Sequence, residues 1–183
     1  AGMALEGMTP FISSYAAFSP GRNWEQIRTL GGLQNTNLKI GGSHAGVTVG
    51  ADGATHQALE DIATTRVIPN MTVLSPCDVH EARKATVAAA KTKGPVYIRL
   101  ARAKSPILTT TKTPFTVGRA EVFWKGTDVA VVATGPILYE ALKAAHTLEA
   151  KGVSVRVINC HTIKPLDTKT IVKAAKDCGA VVT

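Results

Sequence analysis

Residues 38–57 read LKIGGSHAGVTVGADGATHQ, and this stretch decides the fold. Its apolar opening, residues 38–43, predicts a strand. A loop then runs to about Thr55 and carries five glycines between Gly41 and Gly53. A helix is predicted over 57–65. Strand, long loop and helix in succession form the repeating unit of an α/β fold. In such folds ligands bind at the carboxyl ends of strands, where this loop begins. Glycine lets backbone approach a ligand closely, and an ordered loop longer than about 12 residues usually has a function. Two imidazoles, His44 and His56, share the loop with the carboxylate of Asp52. The same residues also suit a tight turn in which Asp52 and His56 stand at a helix start and the carboxylate offsets the helix dipole. From the residues alone both readings stay open.

Outward from the loop the alternation continues. Residues 10–14 predict a strand. Residues 16–30, with Phe18, Trp24, Ile27 and Leu30, predict a turn and helix ended by Gly31-Gly32. Residues 71–75 predict a strand. Asp78 then caps a helix, and Glu81 three positions on completes a capping box; that helix runs to Thr92. Residues 96–101 predict another strand. Unbroken β-rich runs between helices argue for a parallel sheet buried on both faces. Residues 104–116, KSPILTTTKTPFT, hold two prolines and five threonines and read as an interdomain linker. Beyond it come strands at 120–125 and 128–134, then a helix over 136–151 opened by Pro136. A strand at 153–159, a turn at Lys164-Pro165, a helix over 167–177 and a buried strand from 179 complete the series. The fold class is α/β, as two doubly wound units of mostly parallel sheet. They are placed at residues 1–103 and 118–183, joined by 104–117. Residues 1–7 read as the tail of a helix and residues 179–183 as an unfinished strand, so both units are expected to be incomplete.

The chain has 183 residues, 45% apolar and 19% charged. That composition excludes a disordered tail, a collagen and a coiled coil, and the length suffices to bury a core without disulfides. Cys77, Cys160 and Cys178 lie far apart, with no CxxC and no zinc-ligand spacing, so no metal site is expected. Reduced thiols in a cytoplasmic protein are the reading. No run approaches the ~20 apolar residues of a membrane helix, and no membrane partner is expected. The net charge is +8. Its cations are spread out rather than interleaved with aromatics. Arg83, Lys84 and Lys91, then Lys169, Lys173 and Lys176, read as solvated helix faces, so nucleic acid is not expected. A mild bias toward anionic small molecules such as sugar phosphates remains.

The order of residues in SHAGVTVGADGATHQALED closely resembles the pyrimidine-domain signature of transketolases. PFISSYAAFSPGRNWEQIR resembles that family's strand, turn and helix with cofactor-facing aromatics. VYIRLARAKSP resembles the strand ending in its substrate-phosphate arginine, and VINCHTIKPLD resembles a motif of its carboxyl-terminal domain. The likeness spans essentially the whole chain and is strongest to the separately encoded carboxyl-terminal section of split transketolases. It implies thiamine diphosphate as cofactor and transfer of a two-carbon ketol unit between sugar phosphates.

Residue by residue, the resemblance implies that Tyr15 and Phe18 pack around the cofactor's aminopyrimidine. Both also suit ordinary core aromatics. It places His44 near the substrate phosphate, Asp52 on a substrate hydroxyl and His56 beside the cofactor's amino group. Catalysis would rest on Asp52 and His56, and cofactor binding on Tyr15, Phe18 and His56. Substrate binding would use His44, Asp52 and Arg102. Arg99 is the local rival of Arg102. Their odd spacing would put them on opposite faces of a strand, so that only one points into the site. The family's glutamate for the pyrimidine ring would precede this stretch; Glu6 does not correspond to it. The diphosphate and Mg2+ would be held by a separate amino-terminal, diphosphate-binding section. Self-association through the pyrimidine-binding domains and a heterotetramer are implied. Two alternatives stand beside this reading. One is a deoxyxylulose-phosphate-synthase-like section, although that family shows Asp-Arg-Ala-Gly where this chain has Ser43-His44-Ala45-Gly46. The other is a non-catalytic assembly or regulatory subunit.

Overall fold

The computed structural model describes residues 1–183. A single helical turn, α1 (Gly2–Leu5), leads to strand β1 (Phe11–Tyr15). Irregular helical turns follow through α2 (Trp24–Gln26) to Leu33. Next come β2 (Lys39–Ser43), the long loop, helix α3 (Asp61–Arg66), β3 (Thr72–Leu74), α4 (Val79–Lys91) and β4 (Val96–Arg99). The remainder comprises β5 (Glu121–Trp124), β6 (Val129–Ala133), α5 (Leu138–Glu149), β7 (Val155–Asn159), β8 (Thr162–Lys164), α6 (Thr168–Asp177) and β9 (Ala180–Val182).

Two sheets result, ordered β1-β2-β4-β3-β8 and β5-β7-β6-β9. In the first, β1 to β4 are parallel and β8 is antiparallel to β3. In the second, β6 is parallel to β7 and β9, while β5 is antiparallel to β7. The two mostly parallel, helix-flanked sheets are those the alternation predicts. Because β1, β2 and β4 run the same way in register, Tyr15 lies beside Ser43, and Gly42 beside Arg99. Their carboxyl ends therefore form one edge, from which the 43–57 loop departs.

Several local expectations are corrected. The helix expected over 57–65 begins only at Asp61. The loop doubles back: Ala58 pairs with Ala45 in a parallel bridge, and Gly46 N–H donates to Ala58 O at 2.8 Å. That holds Gln57 extended and spends its neighbour's carbonyl outside any helix. Gly31-Gly32 does not end the preceding helical segment, which runs to Leu33. These glycines serve packing instead. A Cβ on Gly32 would stand 2.3 Å from Ile68 Cγ2. The expected turn at Lys164 is also the end of strand β8. Chain from beyond residue 120 thus completes the first sheet, and Lys164 Nζ donates to the carbonyls of Arg66 and Ile68. Finally, β9 is exposed along its length at the sheet edge rather than buried.

Residues 101–120 contain no helix or strand, yet they are tied down. Asp78 accepts from Glu81 N–H as the α4 cap. It also accepts from the N–H groups of Leu108 and Thr109 and from the Thr109 hydroxyl. Those donors hold its carboxyl below the usual range despite burial. Lys84 is not a freely solvated cation: its Nζ donates to the carbonyls of Thr110 and Thr113, 2.6 Å each. Glu81 completes the joint between the sheets. Buried, it accepts from Cys77 N–H and from Asn159 Nδ2, both at 2.7 Å, and burial lifts its carboxyl above the usual range.

Candidate functional site

The site is built on the shared edge of β1 and β2. Past the strand ends the ladder continues, Ala16 N–H to Ser43 O and Ala45 N–H to Leu100 O, which fixes the root of the loop. His44 sits there with φ +57°, a left-handed conformation that a non-glycine residue adopts only when its surroundings hold it. Ser43 Oγ, bonded to Ser14 O, lies 3.1 Å from His44 Nδ1. The imidazole stacks on Tyr15, centroids 4.0 Å apart and planes 7° from parallel.

Around this pair the structure gathers two more rings. Phe18 stands 6.1 Å from Tyr15 at 17°. His56 meets Tyr15 and Phe18 edge-on at 5.7 and 5.1 Å, and its Nδ1 is 2.8 Å from Thr55 Oγ1. All four rings are half-buried, so they form a wall rather than an interior cluster. Phe18 is therefore not an ordinary core aromatic. Arg22 adds a cation 4.9 Å above the Phe18 ring. Its part was not legible, because an arginine beside a glycine in a turn carries no pattern of its own.

Asp52 and Arg102 form a second pair. They stand 3.8 Å apart, both partly exposed, and Arg102 also donates to Val49 O. No hydrogen bond, ion pair or ring contact joins this pair to the four rings. The 43–57 loop supplies one member of the pair, Asp52, and two of the rings, His44 and His56.

The strand-parity argument for Arg99 and Arg102 does not hold. Strand β4 ends at Arg99, so Arg102 lies in the following turn, where alternation no longer applies. Both arginines reach the loop. Arg99 Nε donates to Asp61 at 2.9 Å, and its Nη2 would stand 3.1 Å from a Cβ on Gly46. Gly46 has φ +78°, so the loop needs glycine there for backbone and space alike. Asp61, 2% exposed, also accepts from Tyr97 Oη at 2.6 Å. Burial, with the Asp61 charge second, pushes the Tyr97 phenol far above its ordinary range. Asp61, Tyr97 and Arg99 thus make a buried footing for the loop. One signal could have found it: a tyrosine in a central parallel strand must find a partner for its hydroxyl.

The fold and these side chains define a twin-sheet α/β protein with an aromatic wall and a charged pair near the carboxyl edge of its first sheet. A family model for the "Transketolase, pyrimidine binding domain" matches residues 1–106, and one for the "Transketolase, C-terminal domain" matches 118–183. The chain belongs to the transketolase family. It is 41% identical over 179 residues to a "Putative transketolase C-terminal section" of Methanocaldococcus jannaschii, covering 97% of this chain and 56% of that protein. It is 38% identical over 183 residues to a 6-deoxy-6-sulfo-D-fructose transketolase subunit of Clostridium sp. (strain MSTE9), covering 100% of this chain and 57% of that one. A solved structure titled "Split gene transketolase, inactive beta4 tetramer" superposes with a TM-score of 0.92 at 41% identity, over 100% of this chain and 59% of that one. The chain thus spans a little over half the length of these relatives.

Proposed function

We propose that this chain is the carboxyl-terminal section of a thiamine-diphosphate-dependent transketolase. It would move a two-carbon ketol unit from a ketose phosphate to an aldose phosphate, in company with a separate section that binds the diphosphate and Mg2+. The observation that carries the reading is the four-ring wall of Tyr15, Phe18, His44 and His56. Flat, half-buried rings suit a flat heterocycle such as an aminopyrimidine. When bound, thiamine diphosphate supplies the carbanion that opens the ketose carbon–carbon bond.

This chain's own groups then have distinct tasks. Tyr15 and Phe18 hold the ring of the cofactor. His56, which faces both of them edge-on, would stand beside the ring's amino group as the second catalytic residue with Asp52. His44, held in its left-handed backbone and stacked on Tyr15, would meet the sugar phosphate at the edge of the wall. Asp52 accepts a hydrogen bond from a sugar hydroxyl. Arg102 offers its guanidinium fork to the phosphate, the geometry that suits a dianion. In the free chain Asp52 and Arg102 hold one another. An exposed ion pair is worth about 0–1 kcal/mol, so exchanging it for substrate costs little.

The reading includes a cytoplasmic enzyme of two paired sections, self-associating through the pyrimidine-binding domain, with the isolated chain inactive. The solved relative described as an inactive tetramer supports that last point. The test is to mix the chain with a diphosphate-binding section, thiamine diphosphate and Mg2+. Ketol transfer and pyruvate decarboxylation are then assayed in parallel. Ketol transfer is expected only from the mixture, without pyruvate turnover. Transfer by the chain alone, or decarboxylation in its place, would refute the proposal.

A further inference from the structure

One concavity lies away from the 43–57 loop. It is a groove of about 510 Å3 between one face of α4 and the segment carrying Thr111 and Phe115. That volume lies within the ~300–1,000 Å3 range of small-molecule sites. On α4, His80, Arg83, Lys84, Val87 and Lys91 recur three and four residues apart, so they stand on a single face. No carboxylate lines the groove. Arg83, Lys91 and His80 make no hydrogen bond or ion pair, while Lys84 is anchored to the opposite wall through Thr110 and Thr113. Unpaired like charges gathered in a concavity repel one another and focus a positive potential, which an anion relieves.

The floor of the groove is apolar. Val87 is 50% exposed there, and Phe115 is fixed by stacking on buried His161, centroids 4.2 Å apart. Cations over an apolar, ring-bearing floor match a ligand with a flat ring and several phosphates.

We propose that this groove is a second binding site, for a nucleotide-class ligand: its phosphates on Arg83 and Lys91, its ring against Phe115 and Val87. The inference is independent of the reaction assigned to the loop, since none of the loop's residues line the groove.

Calorimetric titration of the full chain with ATP, inorganic triphosphate, adenosine and hexaglutamate tests it. ATP is expected to bind at least about tenfold tighter than triphosphate, the share a stacked ring adds. Adenosine should show no saturation. Replacing two exposed cations, Arg83→Glu with Lys91→Glu, is expected to weaken ATP at least thirtyfold without moving Tm. Phe115→Leu should bring ATP down to the triphosphate level. Equal binding of ATP and triphosphate, or unchanged ATP binding by the doubly charge-reversed chain, would overturn the site. So would hexaglutamate binding more tightly than ATP and displacing it, which would make the groove a peptide surface.

Discussion

Replacing Gly42 by alanine should cost this protein much of its stability, for a reason that can be worked through atom by atom. A Cβ at position 42 would stand 2.4 Å from Tyr97 Oη, 2.5 Å from its Cε2 and 2.8 Å from its Cζ. Tyr97 is fully buried and cannot retreat while its hydroxyl donates to Asp61. Overpacking a core costs about 1–3 kcal/mol. A hydrogen bond to a charged group is worth about 1.5–3 kcal/mol. The expected loss is therefore about 2.5–6 kcal/mol, against a typical total of about 5–15 kcal/mol. Urea unfolding of Gly42→Ala, Tyr97→Leu and the double variant closes a cycle. Once Tyr97 is shortened, the added methyl should cost about 1 kcal/mol or less. An equal cost in both backgrounds would show that Tyr97 is not what excludes a side chain at 42. The footing described for the loop would then be wrong.

Four further outcomes are expected. In the reconstituted enzyme, Asp52→Ala should lower kcat/KM by about 1.5–3 kcal/mol, and Arg102→Ala should hurt phosphorylated donors more than free sugars; unchanged kinetics, or equal losses on both donors, would remove the respective residue from the site. Burial pulls His161 from an ordinary value of 6.5 to about 4, so the fold holds it neutral. Its contribution is then intact above pH 6.5 and lost as pH falls toward 4, about 3 kcal/mol in all. Urea midpoints should accordingly fall further for the wild type than for His161→Asn between pH 7.5 and 4.5. Asp78→Ala strips the acceptor from three backbone N–H groups and the Thr109 hydroxyl. It should cost about 2–4 kcal/mol and speed proteolysis between residues 104 and 117; unchanged cleavage would show that Asp78 does not secure this segment.

Local chemistry made much of the fold legible. Asp78 and Glu81 announce α4 through their capping pattern, and the apolar runs mark β2, β4, β6 and β7, because each element satisfies itself over a few residues. What escaped depends on partners far along the chain. Residues 162–164 become a strand only because β3 offers a free edge. Residues 57–60 stay out of α3 because Ala45 and Gly46 hold Ala58. Lys84 reads as solvated on a helix wheel and is claimed instead by two carbonyls some 26 and 29 residues away. In the site, the ring residues were visible through resemblance. The Asp61–Tyr97–Arg99 footing was not, since its three members are ordinary for a helix start and a strand.

The most direct measurement is thiamine diphosphate affinity in the reconstituted complex, for wild type and for Phe18→Ala, with Tm recorded for each. Removing one face of the aromatic wall should weaken cofactor binding about tenfold, the worth of a buried stacking contact, with Tm nearly unchanged. Undiminished affinity in a folded Phe18→Ala complex would mean that these rings do not receive the cofactor.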